Sequence, residues 1–193
     1  MTVQKRPYRM KRRAELEEQT RARIAESAMR LHEQLGPART SIGAIAEQAG
    51  VTRSTVYRHF PDEDALFDAC SAHWAALNPL PDLAAWAAIR DPEERLRIAL
   101  DELYAFYRQT EAMIGNLLRD AAFVATVARR IEGLRGYLRE AADVLARGRR
   151  TRRATRAAIG HAVGFATWRS LTREQGLSDA EAAALMRRLV AEA

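Results

Sequence analysis

The chain has 193 residues, 48% of them hydrophobic and 29% charged, with a formal net charge of +6. That length suggests one domain or two small ones, with enough apolar residues for a true core. No stretch reaches the ~18 consecutive apolar residues of a membrane span, the N-terminal "MTVQKRPYRMKRR" has no apolar segment behind it to make a secretory signal, and the single cysteine, Cys70, cannot form an intramolecular disulfide, so a cytoplasmic chain is predicted.

The location of the charge says more than its size. Residues 1–60 hold twelve Lys and Arg against six acids, whereas the remaining 133 residues balance nineteen against nineteen. All of the excess positive charge therefore sits in the first third, as expected if that third meets a polyanion. Residues 1–13 read as a basic N-terminal arm, and a purely solvated tail is the alternative.

Almost every later segment has a helical period and none alternates like a strand, which predicts an all-α fold of about nine helices in two unequal domains. The first helix is expected from about Ala14 to Leu35, with Ile24, Ala28, Leu31 and Leu35 on one face and Gly36–Pro37 ending it. Ser41 is a plausible N-cap for the next. A fourth helix starts at "FPDEDALF", with Asp62, Glu63 and Asp64 near its positive end, and runs to about Leu77. "NPLPD" (Asn78–Asp82) is the clearest break and marks a boundary between a domain at 14–77 and one at 80–193. Beyond it, "DPEE" (Asp91–Glu94) opens a helix striped with Leu96, Leu100, Leu103 and Tyr107. A long helix is predicted over Ala121–Ala146. The basic linker Arg147–Arg156 leads to a helix ending at Leu171, and "SDAE" (Ser178–Glu181) boxes the start of the last.

Between the first and fourth helices lies "AIAEQAGVTRSTVYRHF" (Ala44–Phe60), two helices too short to stand alone. Ala46 is small enough for a close crossing, and Gly50 tolerates the positive φ of a tight turn. Val51 plugs that turn, while Val56 and Phe60, four apart, anchor the second helix. Arg53, Ser54, Tyr57 and Arg58 then spread over its open side, offering charge, hydrogen bonds and one aromatic ring to base edges and phosphates. Its N-terminus at Thr52 offers a place for a phosphate. This is a helix-turn-helix signature with a recognition helix at about 52–59.

The wider stretch "TSIGAIAEQAGVTRSTVYRHFPDEDALF" (Thr40–Phe67) resembles the DNA-binding signature of the tetracycline-repressor (TetR) family. The resemblance implies that Thr40, Tyr57 and His59 clamp phosphates, that Arg53, Ser54 and Thr55 read bases, and that Thr52 and Arg58 sit at the groove edge. It also implies a backbone-contacting lysine where this chain has Glu63, and the basic arm ahead of the motif is a candidate to replace that contact.

For residues 80–193 the resemblance implies ligand binding and dimerisation. Ala157, Gly160 and Gly164 would let another helix approach closely, so a homodimer through the last two helices (about 153–171 and 179–192) is expected, two recognition helices then reading grooves ~34 Å apart. Candidate ligand-binding residues are Trp86, Tyr104, Tyr107, Met113, Asn116, Phe123, Tyr137, His161, Phe165 and Trp168, each of which, taken singly, reads first as filling core volume. No catalytic or metal-binding residue set, phosphate-cradling glycine loop or cofactor motif is found. The expected protein is not an enzyme but a ligand-responsive transcriptional regulator, a repressor, that binds double-stranded DNA at a near-palindromic operator and is released by a small, mainly apolar effector. The alternatives are a helical small-molecule-binding protein or enzyme that keeps a helix-turn-helix without operator binding, and a regulator with a solid core and no ligand.

Overall fold

The computed structural model describes residues 5–150 and 152–193, with side chains from Met10 onward. Among them are ten α-helices and no strand: α1 (Lys5–Gln34), α2 (Ile42–Gln48), α3 (Arg53–His59), α4 (Glu63–Leu77), α5 (Leu83–Ala88), α6 (Pro92–Asp120), α7 (Ala125–Ala146), α8 (Arg153–Ala162), α9 (Phe165–Arg169) and α10 (Asp179–Glu192). The chain divides into two compact units, the first made of residues 1–77 and 115–127, the second of 78–114 and 128–193. The break at Leu77–Asn78 falls at the Pro-rich "NPLPD" segment. Residues 115–127 belong with the first unit rather than with the rest of 80–193.

In the first unit, α1 packs mainly against α4 and α2. Its core is Ile24, Ala28, Leu31, Ile45, Ala46, Val56, Phe60, Leu66 and Phe67, all buried. Leu35, expected on this face, is exposed instead because the helix has already ended at Gln34. Helix α1 also begins at Lys5, well ahead of Ala14. Pro7 does not prevent this, since a proline in the first turn forfeits only an N–H that has no intrahelical acceptor. Residues 5–13 of the basic arm are therefore helical, the Arg13–Glu17 ion pair (3.1 Å) lying on the same helix, and residues 1–4 lie outside the described residues.

The last turn of α6 closes this unit. The Asn116 amide donates to the His32 and Glu33 carbonyls at 3.1 and 2.7 Å, Arg119 Nη2 donates to the Leu35 carbonyl at 2.8 Å, and the Ala38 N–H donates to Asp120 Oδ2 at 3.0 Å. Burial raises the Asp120 carboxyl, but Arg119 and the Ala38 N–H outweigh it and hold the group below its ordinary value. The turn after Asp120, closed by the Phe123 and Val124 N–H groups on its carbonyl, is why α7 starts at Ala125 and not at Ala121.

His32 is buried beside Cys70 (Nδ1 to Sγ 3.5 Å) and the Phe67 ring, and burial pushes its imidazole from 6.5 down to about 4, against a smaller upward pull from Asp120. The folded chain thus keeps His32 neutral where the unfolded chain protonates it. Stability is expected to fall as pH drops from 6.5 towards 4, by roughly 3 kcal/mol in all. Thermal midpoints followed across that window should decline less steeply in His32→Leu than in the wild type.

The second unit is built around Trp86, Leu96, Leu100, Leu103, Tyr104, Tyr107, Leu145, Ile159 and Trp168, all fully buried. Asp91 caps α6 through the Glu93 and Glu94 N–H groups, and Ser178 with Glu181 forms a reciprocal capping box on α10, as "DPEE" and "SDAE" predict. Helix α10 packs on α8. The helix expected to run unbroken to Leu171 is interrupted at Val163–Gly164. There the Tyr104 and Tyr107 hydroxyls donate to the Ala162 and Val163 carbonyls at 2.9 and 2.6 Å, satisfying acceptors that the break leaves free. A π-helical turn, Ser170–Glu174, follows α9. Arg95, only 5% exposed, fans its guanidinium over the carbonyls of Ile89, Arg90, Val144 and Arg147.

Candidate nucleic-acid interface

The geometry of α2 and α3 follows from their caps and one glycine. Ser41 Oγ accepts the Ala44 N–H at 3.1 Å and starts α2. At the corner the Val51 N–H returns to the Ala46 carbonyl at 2.9 Å, and Gly50 adopts φ 64°. A Cβ at Gly50 would meet nothing, so the backbone angle and not crowding selects glycine there. Thr52 then caps α3 by accepting the Thr55 N–H, and its hydroxyl also bonds the Ser54 and Thr55 hydroxyls at 2.8 and 2.9 Å. Asp62 caps α4 through the Ala65 N–H at 2.7 Å.

Val56 and Phe60, each 1% exposed, root α3 in the core. On its opposite side Thr52, Arg53, Ser54, Tyr57 and Arg58 are exposed, with Thr55 and His59 half-buried. The result is one polar, cationic helix face on an apolar anchor, the arrangement a major groove accepts. The Arg53 guanidinium lies across α2 at Gly43, filling the space a Cβ there would need. The Thr40 hydroxyl donates to the Gly36 carbonyl at 2.8 Å, so its proton is engaged within the turn. His59 Nε2 is buried without a hydrogen-bond partner. Glu63 is exposed in the first turn of α4.

The ten residues expected to bind ligand do not form one group. Asn116 and Phe123 fall in the first unit, Asn116 bonded to the end of α1 and Phe123 82% exposed. In the second unit Tyr107 packs against Tyr104, Phe165 and Trp168 with ring centroids 5.3–6.4 Å apart. Met113 is buried, Trp86 donates to Glu102 at 2.7 Å, and Tyr137 donates to the Pro81 carbonyl at 2.9 Å. His161 is exposed, its ring 3.2 Å from the Thr167 hydroxyl. Burial pushes the Tyr104, Tyr107 and Tyr137 hydroxyls well above their ordinary value, with smaller contributions from neighbouring acids and tyrosines. Sequence reasoning missed Arg21, whose partners His59 and Phe60 lie 38 and 39 residues away, and Gly43, which carries no local signal of its contact with Arg53. Among the described residues no cluster of His, Cys, Asp and Glu could hold a metal ion, and no helix is long and apolar enough to cross a membrane.

The capped α2–α3 corner and the cationic face of α3 define a helix-turn-helix domain of the DNA-binding class. Residues 24–70 match the family model for "Bacterial regulatory proteins, tetR family". The chain is 48% identical over 50 residues to the HTH-type transcriptional regulator AcrR of Shigella flexneri, a match covering 26% of this chain and only 23% of that relative. By fold the likeness extends much further. A TetR-like transcriptional regulator from Rhodococcus sp. RHA1 superposes with a TM-score of 0.64 at 23% identity, over 91% of this chain and 94% of that one. NalD of Pseudomonas aeruginosa, described as the secondary repressor of the MexAB-OprM multidrug efflux pump, gives 0.59 at 21% identity, over 91% and 96%. The chain is thus similar to TetR-family regulators over residues 24–70, and most of its length shares the fold of these two solved structures.

Proposed function

We propose that the protein is a ligand-responsive transcriptional repressor that binds a near-palindromic operator as a homodimer and is released by a small, mainly apolar effector. The observation that carries this reading is the exposed hydroxyl- and arginine-rich face of α3, held rigid by the buried Val56 and Phe60. Arg53, Ser54 and Thr55 are the base readers. Thr40, Tyr57 and His59 hold phosphates, with Thr52 and Arg58 at the groove edge. To grip a phosphate, Thr40 must turn its hydroxyl from the Gly36 carbonyl, and Arg53 must leave Gly43. For the dimer, the exposed Ala157 and Gly160 on α8 and Leu189 on α10 offer small and apolar groups to a second copy. The effector reading draws on the aromatic set around Tyr107 and Trp168, which an apolar molecule would have to part.

A salt-titrated mobility shift on DNA flanking the protein's own gene tests the core of this reading. Arg53→Ala is expected to lose about 10- to 100-fold in specific affinity, as for one base-reading arginine per half-site. Equal retention of all sequences by the wild type at every salt concentration would remove the operator and leave a helical protein whose helix-turn-helix no longer reads DNA.

A further inference from the structure

The recognition helix has seven residues. Thr52 caps its N-terminus, and at the other end the Phe60 N–H returns to the Val56 carbonyl at 2.9 Å. The final carbonyl, that of His59, is met from α1. Arg21 Nη1 donates to the His59 carbonyl at 2.5 Å, and the same guanidinium lies 4.2 Å over the centre of the Phe60 ring. A single half-buried side chain therefore meets the negative end of α3, bonds its final carbonyl and covers the aromatic anchor that follows. Those contacts fall on the turn carrying Tyr57, Arg58 and His59.

We infer that Arg21 is a positioning residue for DNA binding: it fixes the C-terminal turn of the recognition helix, and with it Tyr57, Arg58 and His59, by clamping the His59 carbonyl and the Phe60 ring from α1. The inference rests on the reading of α3 as the DNA-contacting helix. Arg21 is assigned to α3 because one of its five N–H donors is spent on the His59 carbonyl and one face of its guanidinium lies on the Phe60 ring; the salt slope below separates this role from a phosphate contact. Lysine could replace the hydrogen bond but not the flat stack, so it should restore only part of the function.

The test uses the full-length protein and a duplex selected by the wild type from a randomised pool. Arg21→Ala and Arg21→Met are expected to lose about tenfold in affinity, the effect of removing one charge-assisted hydrogen bond, with Arg21→Lys in between. The slope of log affinity against log salt should stay at the wild-type value, whereas a lost phosphate contact lowers it by about one. In the free protein, amide exchange at Arg58–Phe60 should quicken in the Ala and Met variants while α2 and α4 keep their protection. Wild-type affinity in Arg21→Ala, or a slope reduced by about one, overturns the positioning role. If selection with the wild type yields no preferred duplex, the DNA reading itself fails; unchanged exchange at Arg58–Phe60 then overturns the clamp as well, and faster exchange upholds it.

Discussion

Gly36→Ala is expected to lower the stability of the first unit by about 2–4 kcal/mol, the combined effect of a backbone region open essentially to glycine alone and of displacing the buried Asp120 carboxylate from its partners. Gly36 has φ 92° and ψ 155°, a region in which only glycine is comfortable. A Cβ there would also fall on Arg119 Nη2 and Asp120 Oδ2. Neither group can step aside freely: Arg119 bonds the Leu35 carbonyl, and Asp120, 2% exposed, bonds the Ala38 N–H and Arg119. Displacing them undoes the link between the end of α1 and the turn leading to Thr40. The thermal midpoint should drop by about 10 °C, and DNA affinity should fall with it. Repeating the substitution in an Arg119→Ala background isolates the share of the clash due to Arg119, since the overlap with Asp120 Oδ2 and the backbone share both remain there. A midpoint within a degree or two of the wild type, in either background, would show that the corner relaxes at little cost.

Arg95→Met should be comparably damaging to the second unit. Among the described residues no carboxylate pairs with the Arg95 guanidinium; its partners are four carbonyls, at the end of α5, in the loop that follows and at the end of α7, at 2.6–3.4 Å. The negative ends of two helices thus balance one buried cation. Methionine fills a similar volume but leaves those carbonyls unmet, at an expected cost of about 3–5 kcal/mol. Arg95→Lys should recover a minor part, because an ammonium cannot span the fork of acceptors that a planar guanidinium reaches. Chemical denaturation followed by tryptophan fluorescence reads this directly, as Trp86 and Trp168 are both buried in the same unit. A methionine variant as stable as the wild type would mean that water replaces the guanidinium at these carbonyls.

What the sequence made visible was whatever is encoded locally. The caps at Ser41, Asp91 and Ser178 each depend on residues within three positions, and so does the turn at Gly50; all were legible, whereas at Thr52 only the start of the helix was legible and not its cap. The buried Val56–Phe60 pair followed from helical period alone. What escaped was set by contacts distant in the chain. Asn116 looked like a polar anchor among aromatics, yet it bonds residues 83 and 84 positions earlier. The helix break at Val163–Gly164 carries only a weak glycine signal, and it persists because two tyrosines more than fifty positions upstream accommodate it. The start of α1 was misplaced for a different reason: a run of positive charge read as an arm ahead of the helix, although the helix extends through it. Of the α3 face, residue types and orientation were both legible, but Arg53 lying over Gly43 and Thr40 engaged with Gly36 were not.

The two tyrosines at that helix break have a practical consequence. Tyr104 and Tyr107 are sealed from water with their protons committed to backbone carbonyls, and Tyr137 is held nearly as firmly. In alkaline solution burial holds Tyr104 and Tyr107 back from forming phenolate while the second unit is intact, and half-buried Tyr137 to a lesser degree. Their ultraviolet absorbance change is therefore a built-in optical gauge. After a jump to high pH it should appear at the rate at which the α8–α9 junction opens, and a molecule that binds and closes that junction would announce itself by slowing the signal.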